Sequence, residues 1–234
     1  MSDVLPFVET FGPTLQGEGA AAGRLSSFLR FGGCNLSCSW CDSPYTWDAD
    51  RFDLRREISL LTVQEIVARV PAAPLLIITG GEPLLNQKKP AFVELLQHYK
   101  DAGVELHMET NGTLVPNRDM VRLIDQFSVS PKLAHAGEHK RTQNRALAPG
   151  WLRVHDQTPA HLKVVCETAA DVRETREMAE KHGWPLDRVW VMPEGTTSEV
   201  LNARWPEIAT AATEQGINAS HRLHVLAWTD ARGH

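Results

Sequence analysis

The 234-residue sequence predicts an α/β fold in which a mainly parallel sheet forms an open or partial barrel. From Thr62 onward, apolar segments of strand length alternate with segments of helical periodicity, a pattern typical of parallel strands joined by helices. Residues 75–78 are apolar throughout and lie between Pro74 and the Gly80-Gly81 pair, as expected of a strand buried on both faces. Ligands of such folds bind at the C-terminal ends of the strands, so we expect the functional residues there.

The composition predicts one soluble globular domain spanning residues 1–234. Hydrophobic residues make up 42% and charged residues 23% of the chain, as in ordinary globular proteins, and a chain of this length buries roughly 70% of its unfolded surface. The net charge of -5 gives no basic footprint for nucleic acid, and no signal peptide or membrane-spanning run is apparent. We therefore expect a small-molecule substrate, no nucleic-acid or membrane partner, and a cytoplasmic location.

The first part of the chain contains two predicted strands and a glycine-rich loop. Residues 7–11 alternate as a short strand, and residues 26–31 form a second strand that ends at a cysteine-rich loop. Residues 12–19 hold three glycines and one proline, which predicts either a plain turn or a loop whose backbone a ligand can approach. Gln16 and Glu18 could there read the donor and acceptor edge of a pterin or purine.

The remaining elements follow from caps and periodicity. Thr62 and Glu65 form a capping box that opens a helix to about residue 70. Pro206 is expected to kink or split the last predicted helix. Further helices are predicted at residues 90–102, 171–182 and 198–216, strands at 104–109, 127–130, 162–166, 189–192 and 223–228, and irregular loops at 45–60 and 133–160.

Three of the four cysteines, Cys34, Cys38 and Cys41, lie within eight positions in a loop at residues 32–43. Their spacing can point three thiolates at one cubane iron–sulfur cluster, and three protein ligands leave one iron open to a small molecule. A zinc site would usually show a second Cys or His pair, yet the nearest following histidine is His98. A disulfide would leave one cysteine unpaired. We therefore predict a 4Fe–4S cluster, and we interpret Cys166 as a buried apolar residue.

Other polar motifs follow predicted strands. Residues 79–83, Thr-Gly-Gly-Glu-Pro, come directly after the buried strand, and the paired glycines expose carbonyls that can accept hydrogen bonds from an ammonium group. Residues 109–112 and 130–132 lie similarly after the next two strands. Arg30 ends a strand beside the cysteine loop, where it is either a surface cation or a bidentate carboxylate ligand.

The cysteine motif, with Trp40 before its last cysteine, resembles the signature of the radical S-adenosylmethionine (SAM) superfamily. Combined with Arg30, the motifs at residues 15–19, 40–43, 79–83, 130–132 and 222–224 resemble more narrowly the 7-carboxy-7-deazaguanine synthases. The resemblance implies a partial (β/α) barrel of the radical SAM type. It also implies a lyase that converts 6-carboxy-5,6,7,8-tetrahydropterin to 7-carboxy-7-deazaguanine and ammonia, on the route to queuosine.

The same resemblance implies the ligands and partners. The cofactors are the cluster, SAM and Mg²⁺, the partners are a flavodoxin- or ferredoxin-type electron donor and a second copy of the chain, and a C-terminal strand and tail close the barrel mouth. Ser43 is the implied Mg²⁺ ligand, although the family usually has Thr there. The implied substrate-binding residues are Leu15, Gln16, Gly17, Arg30, Thr79 and His234, and the SAM-binding residues are Trp40, Cys41, Asp42, Gly81, Ser130, Pro131 and Lys132.

Two other functions stay open at this point. A glycyl-radical activating enzyme shares the three-cysteine motif and a partial barrel, but it must admit a polypeptide loop. A non-catalytic iron–sulfur or zinc module could use the cysteines alone, and it has no need for glycine and polar motifs at strand ends.

Overall fold

One nine-stranded sheet organises the protein, for which a computed structural model describes residues 4–139, 146–229 and 231–233. The strands are β1 (Leu5–Leu15), β2 (Leu25–Phe31), β3 (Ser59–Leu61), β4 (Leu75–Gly80), β5 (Glu105–Thr110), β6 (Gln126–Val129), β7 (Ala160–Cys166), β8 (Val189–Pro193) and β9 (Asn218–Ala219). Their order is β3-β1-β2-β4-β5-β6-β7-β8-β9. β1 pairs antiparallel with β2 and β3, and all pairs from β2–β4 to β8–β9 are parallel. Because β3 and β9 lie at opposite edges, the prediction of a mainly parallel, open sheet is confirmed.

The helices connect the parallel strands. They are α1 (Leu54–Glu57), α2 (Val63–Val67), α3 (Pro90–Asp101), α4 (Arg118–Leu123), α5 (Trp151–Val154), α6 (Ala169–Lys181), α7 (Ser198–Gln215) and α8 (Leu223–Trp228). Within the described ranges, none of these helices combines the length and the apolar character needed to cross a bilayer.

Alternation along the central strands separates an apolar core from a polar inner face. On β5, Leu106 and Met108 belong to the main core cluster, as do the alternate residues of β7, Leu162 and Val164. Successive strand residues point to opposite faces, so the intervening polar residues of both strands point away from this core. Lys163 of β7 is one of them, and it is almost fully buried.

Most predicted elements are confirmed to within a few residues. The parallel strands β4 to β8 occupy the predicted segments, as do α3, α6 and α7. The capping box of α2 is present, with the Glu65 amide donating to Thr62 Oγ1 and the Thr62 amide to Glu65 Oε2. Residues 12–15, predicted as loop, instead belong to β1, where a register shift accommodates the Gly-Pro pair without ending the pairing with β2.

The prediction of a final strand at residues 223–228 is wrong, because this segment is the helix α8. The Leu226 amide donates to the Arg222 carbonyl, and the Thr229 amide to the Val225 carbonyl. Six residues with a mixed apolar pattern suit a strand or a short helix equally well. The Leu223 amide also donates to the carbonyl of Gly17, so tertiary contacts at the pocket decide the outcome.

Three other predictions need correction. The predicted loop at 133–160 contains α5, whose Trp151 is buried and donates to the Gly112 carbonyl. The predicted loop at 45–60 contains α1 and begins β3. Of the two effects predicted for Pro206, a split is wrong, because α7 runs through this residue as one helix. A kink stays a prediction. α4 and β9 were not predicted. α4 has only six residues and β9 only two, so neither carries a recognisable periodicity.

Candidate active site

A pocket opens at the C-terminal ends of the parallel strands, where the fold class places it. It brings together nearly all the residues predicted to bind ligands, although they come from five separate stretches of sequence. Pro131 is the exception, because it is buried beside the pocket without lining it, and His234 lies outside the described residues. The predicted residues that line the pocket are Leu15, Gln16, Gly17, Arg30, Cys34, Cys38, Trp40, Cys41, Asp42, Ser43, Thr79, Gly81, Ser130 and Lys132.

The three clustered cysteines line one side of this pocket, and none of them forms a disulfide bond. The Leu36 amide lies 3.4 Å from Cys34 Sγ and the Trp47 indole N–H lies 3.3 Å from Cys41 Sγ, so two of the sulfurs accept hydrogen bonds that favour thiolate. Burial nevertheless raises the pKa of Cys34 to about 12, and metal binding would favour its thiolate form. Among the described residues no three Cys, His, Asp or Glu side chains converge on a single-ion site. In a cubane each thiolate binds a different iron, so this donor set fits a 4Fe–4S cluster.

The glycine motif after β4 packs backbone to backbone against the cysteine loop. The Gly81 amide donates to the Phe31 carbonyl at 3.0 Å, and the Glu82 amide donates to the Gly33 carbonyl at 2.8 Å. A Cβ at Gly81 would collide with that same carbonyl. Only glycine at this position therefore allows the loop after β4 and the cysteine loop to lie this close.

A fully buried carboxylate, Glu82, ties this motif to the end of β5. It accepts hydrogen bonds from the amides of Leu84 (3.0 Å) and Asn111 (2.7 Å) and from Thr110 Oγ1 (2.9 Å). Asn111 in turn donates from Nδ2 to Asn35 Oδ1 in the cysteine loop at 2.8 Å. Three loops that line the pocket are thereby fixed relative to one another.

Glu82→Gln should destabilise the protein by roughly 1–3 kcal/mol, because one amide hydrogen must face a backbone donor in a buried site. Burial raises the pKa of Glu82 to about 7 despite its three hydrogen bonds. The folded state therefore holds a proton that the unfolded state loses above about pH 4.5, so wild-type stability falls as pH rises from about 4.5 to 7. The Gln variant lacks this fall.

Urea unfolding at pH 5 and pH 8 checks this prediction. The stability difference between wild type and Glu82→Gln should be larger at pH 5, with the exposed Glu214→Gln as the matched control. A difference that is the same at pH 5 and pH 8 would show that Glu82 is ionised in the folded state throughout this range.

A network of charged side chains, whose pairing was not predicted, forms a wall of the pocket that reaches the cysteine loop at the exposed Asp42. Lys163 Nζ lies 2.6 Å from Glu18 Oε2 and 2.8 Å from Glu109 Oε1. Arg222 Nε lies 2.8 Å from Glu18 Oε1, and its Nη2 lies 2.6 Å from Asp42 Oδ2. The signal for Lys163 was a lone lysine inside an apolar strand, which carries a desolvation cost unless it is paired.

Glu109 is also held by two residues that the sequence did predict. Thr79 Oγ1 donates to Glu109 Oε2 at 2.8 Å, and Gln16 Nε2 donates to Glu109 Oε1 at 3.3 Å. Burial acts to raise the pKa of Glu109, but the charge of Lys163 together with the hydrogen bonds from Lys163 and Thr79 leaves the pKa lowered. Glu109 is thus an ionised acceptor on the pocket wall.

The other predicted residues flank this wall. Arg30 donates from Nε to Glu9 Oε1 at 2.9 Å and lies over the ring of Phe11. Ser43 is buried, with its hydroxyl 3.9 Å from Cys41 Sγ.

On the far side of the cysteines, Lys132 contacts two of the residues predicted to bind SAM. Lys132 Nζ donates to Ser130 Oγ at 2.9 Å and lies 5.3 Å from the ring centre of Trp40. The loop after β6 is thereby joined to the cysteine loop.

Comparison with known proteins agrees with this geometry. Residues 29–204 match the family profile of the Radical SAM superfamily. The chain is 39% identical over 250 residues to the 7-carboxy-7-deazaguanine synthase of Bacillus subtilis, covering 100% of both proteins, and 34% identical over 223 residues to that of Pyrobaculum aerophilum, covering 94% of this chain and 93% of the relative. The crystal structure of QueE from Escherichia coli superposes with a TM-score of 0.66 at 21% identity, covering 94% of this chain and 95% of that one. This last similarity supports the fold alone.

Proposed function

Because the chain belongs to the radical SAM superfamily and, within it, to the 7-carboxy-7-deazaguanine synthases, we propose that it converts 6-carboxy-5,6,7,8-tetrahydropterin to 7-carboxy-7-deazaguanine and ammonia. The observation that carries this proposal is one pocket that holds three clustered thiols on one wall and, on the other, Arg30 and an ionised Glu109. The first wall suits a cluster and the second suits an acidic heterocycle. The enzyme is a lyase of queuosine biosynthesis.

A 4Fe–4S cluster and SAM are the cofactors of the superfamily. Cys34, Cys38 and Cys41 would hold the cluster. When bound, the reduced cluster and SAM together supply a 5'-deoxyadenosyl radical, which removes a hydrogen atom from the substrate. The residues that would hold SAM line the pocket around the thiols or lie directly behind it, and they are Trp40, Cys41, Asp42, Gly81, Ser130, Pro131 and Lys132.

The charge of the second wall suits a pterin. The network contains three carboxylates, Glu18, Asp42 and Glu109, against two cations, Lys163 and Arg222. Burial lowers the pKa of the nearby His224, so this imidazole is neutral near pH 7 and the wall keeps an excess negative charge. The amino and ring N–H groups of a pterin are hydrogen-bond donors, so these carboxylate oxygens can accept hydrogen bonds from them.

The remaining polar groups would orient the substrate. Arg30 would bind the substrate carboxylate as a bidentate pair. Gln16 and Thr79, held by Glu109, and the backbone of Leu15 and Gly17 would fix the ring. His234 was predicted to join them, and we retain it as a proposal because it lies outside the described residues.

The activity is tested directly by incubating reconstituted protein, under anaerobic conditions, with 6-carboxytetrahydropterin, SAM, Mg²⁺ and a reductant. Mass spectrometry should detect a deazapurine. If SAM is regenerated in each turnover, 5'-deoxyadenosine should not accumulate in proportion to this product. A protein that binds zinc and shows no brown absorbance would contradict the radical function. A loaded protein that cleaves SAM but leaves the pterin unchanged would point instead to a glycyl-radical activating enzyme.

We also propose that Mg²⁺ binds at Ser43, whose buried hydroxyl lines the pocket beside Cys41. Mg²⁺ prefers hard oxygen ligands and shares its coordination sphere with substrate oxygens. Ser43→Ala should raise the Mg²⁺ concentration needed for half-maximal turnover roughly tenfold, the scale of about 1.4 kcal/mol, and Ser43→Thr should be tolerated. SAM cleavage without substrate serves as the control. An unchanged Mg²⁺ response in Ser43→Ala would remove Ser43 from the site.

Two partners complete the proposal. A flavodoxin- or ferredoxin-type protein would reduce the cluster, and the chain would form a homodimer. Light scattering after gel filtration tests the second statement, and turnover with purified donors tests the first.

A further inference from the structure

The C-terminal segment at residues 231–233 returns to the first strand of the sheet. Arg232 Nε lies 2.6 Å from Glu9 Oε2, and its Nη1 lies 3.1 Å from Glu57 Oε2. Its guanidinium also lies over the ring of Tyr45, 4.1 Å from the ring centre. Three elements, β1, α1 and the turn after the cysteine loop, thus hold one arginine.

Glu9 is shared between this arginine and the pocket. Its Oε1 accepts from Arg30 Nε at 2.9 Å and from the Tyr45 hydroxyl at 2.8 Å, while Oε2 accepts from Arg232. Burial acts to raise the pKa of Glu9, but the hydrogen bond to Arg232 and the charge of Arg30 outweigh it and leave the pKa lowered. Glu9 is therefore ionised and fully engaged by two cations.

We propose that Arg232 is a positioning residue for substrate recognition, acting through Glu9 to keep the guanidinium of Arg30 oriented toward the pocket. A guanidinium is planar and rigid, so a hydrogen bond at Nε fixes its plane and leaves the Nη1–Nη2 edge for a second carboxylate. The proposal rests on the proposed function, because it assumes that Arg30 binds the substrate carboxylate.

The charge count explains why Arg232 is needed. Arg30 and Arg232 balance Glu9 and Glu57, so the group is neutral before the substrate binds. Without Arg232 the group carries one excess negative charge, and Glu9 has only Arg30 as its cationic partner. Both changes weaken the attraction of Arg30 for an incoming carboxylate.

The test compares Arg232→Gln, Arg232→Lys and, as matched control, Arg56→Gln, which removes a highly exposed arginine beside Glu57. For each variant, KM and kcat are measured with 6-carboxytetrahydropterin, and the inhibition constant is measured for tetrahydropterin without the carboxylate. Arg232→Gln should raise KM roughly tenfold, the scale of one charge-assisted hydrogen bond, with less change in kcat. Its inhibition constant for the carboxylate-free pterin should stay within about twofold of wild type. Arg232→Lys should recover part of the loss, and Arg56→Gln should match wild type.

The comparison of the two pterins distinguishes whether Arg232 orients Arg30 or whether the segment at residues 231–233 only covers the pocket. An equal loss of affinity for both pterins would mean that the segment only covers the pocket, which overturns the role for Arg30. An unchanged KM in Arg232→Gln would also overturn it, provided that wild type turns over the substrate. If wild type itself neither binds nor converts 6-carboxytetrahydropterin, the proposed function fails first, and the role of Arg232 fails with it. SAM cleavage without substrate confirms that each variant is loaded.

Discussion

Replacing Cys34, Cys38 or Cys41 with Ala should abolish turnover, whereas Cys166→Ala should leave most of it. Each of the first three thiols lines the pocket, and the loss of one thiolate leaves an iron of the cluster without its protein ligand. Cys166 is also a free thiol, but it is fully buried on the core face of β7 and burial raises its pKa. Its replacement should therefore cost only the packing of one sulfur atom, about 1 kcal/mol.

Iron content, visible absorbance and SAM cleavage, measured after anaerobic reconstitution, check this expectation. The three pocket variants should lose the brown absorbance or the SAM cleavage, and Cys166→Ala should keep both. Equal loss of iron in Cys166→Ala would overturn the assignment of the cluster ligands.

The sequence predicted the sheet because its central strands are recognisable without tertiary information. Residues 75–78 are apolar on both faces, and β4 is buried on both faces in the structure. The site loops were predictable for the same reason, because each follows such a strand and the ends of parallel strands meet at one edge. Gly81 adds a local requirement, since no other residue fits against the Gly33 carbonyl.

The wall of charges could not be predicted in the same way, since its partners are far apart in sequence. Lys163 pairs with a residue 145 positions away and another 54 positions away. A sequence pattern shows that a lysine lies in an apolar strand, but only the fold determines which carboxylates meet it. The helix α8 is a similar case, because Arg222 and the Gly17 carbonyl hold its first turn at the pocket.

Lys163→Met should produce the largest loss of stability among single substitutions outside the cluster. The side chain is nearly the same length, so the main change is the loss of a buried cation between Glu18 and Glu109. Removing one partner of a buried ion pair costs about 3–5 kcal/mol, because the remaining charge is left uncompensated. For a chain of this size the loss corresponds to a fall in Tm of roughly 10 °C.

The pH dependence identifies the cause of this loss. In wild type, burial acts to raise the pKa of Glu18 and Glu109, but Lys163, with Arg222 beside Glu18 and Thr79 beside Glu109, leaves both pKa values lowered. These carboxylates therefore stabilise the folded state above about pH 4.5, and the contribution disappears as pH falls through their folded pKa values. Without Lys163, Glu18 keeps Arg222 but Glu109 loses its cationic partner. Burial then raises the folded pKa of Glu109, and stability instead falls as pH rises above about 4.5.

The Tm difference between wild type and Lys163→Met should consequently grow from pH 5 to pH 8, the opposite of the trend expected for Glu82→Gln. Lys181→Met, at an exposed position of α6, is the matched control and should change Tm little at either pH. Adding Glu109→Gln to Lys163→Met should recover part of the stability, because it removes the carboxylate that Lys163→Met leaves uncompensated. A Tm loss that is independent of pH and unaffected by Glu109→Gln would mean that Lys163 contributes by packing its methylene chain, and the charged wall would then lose its central cation.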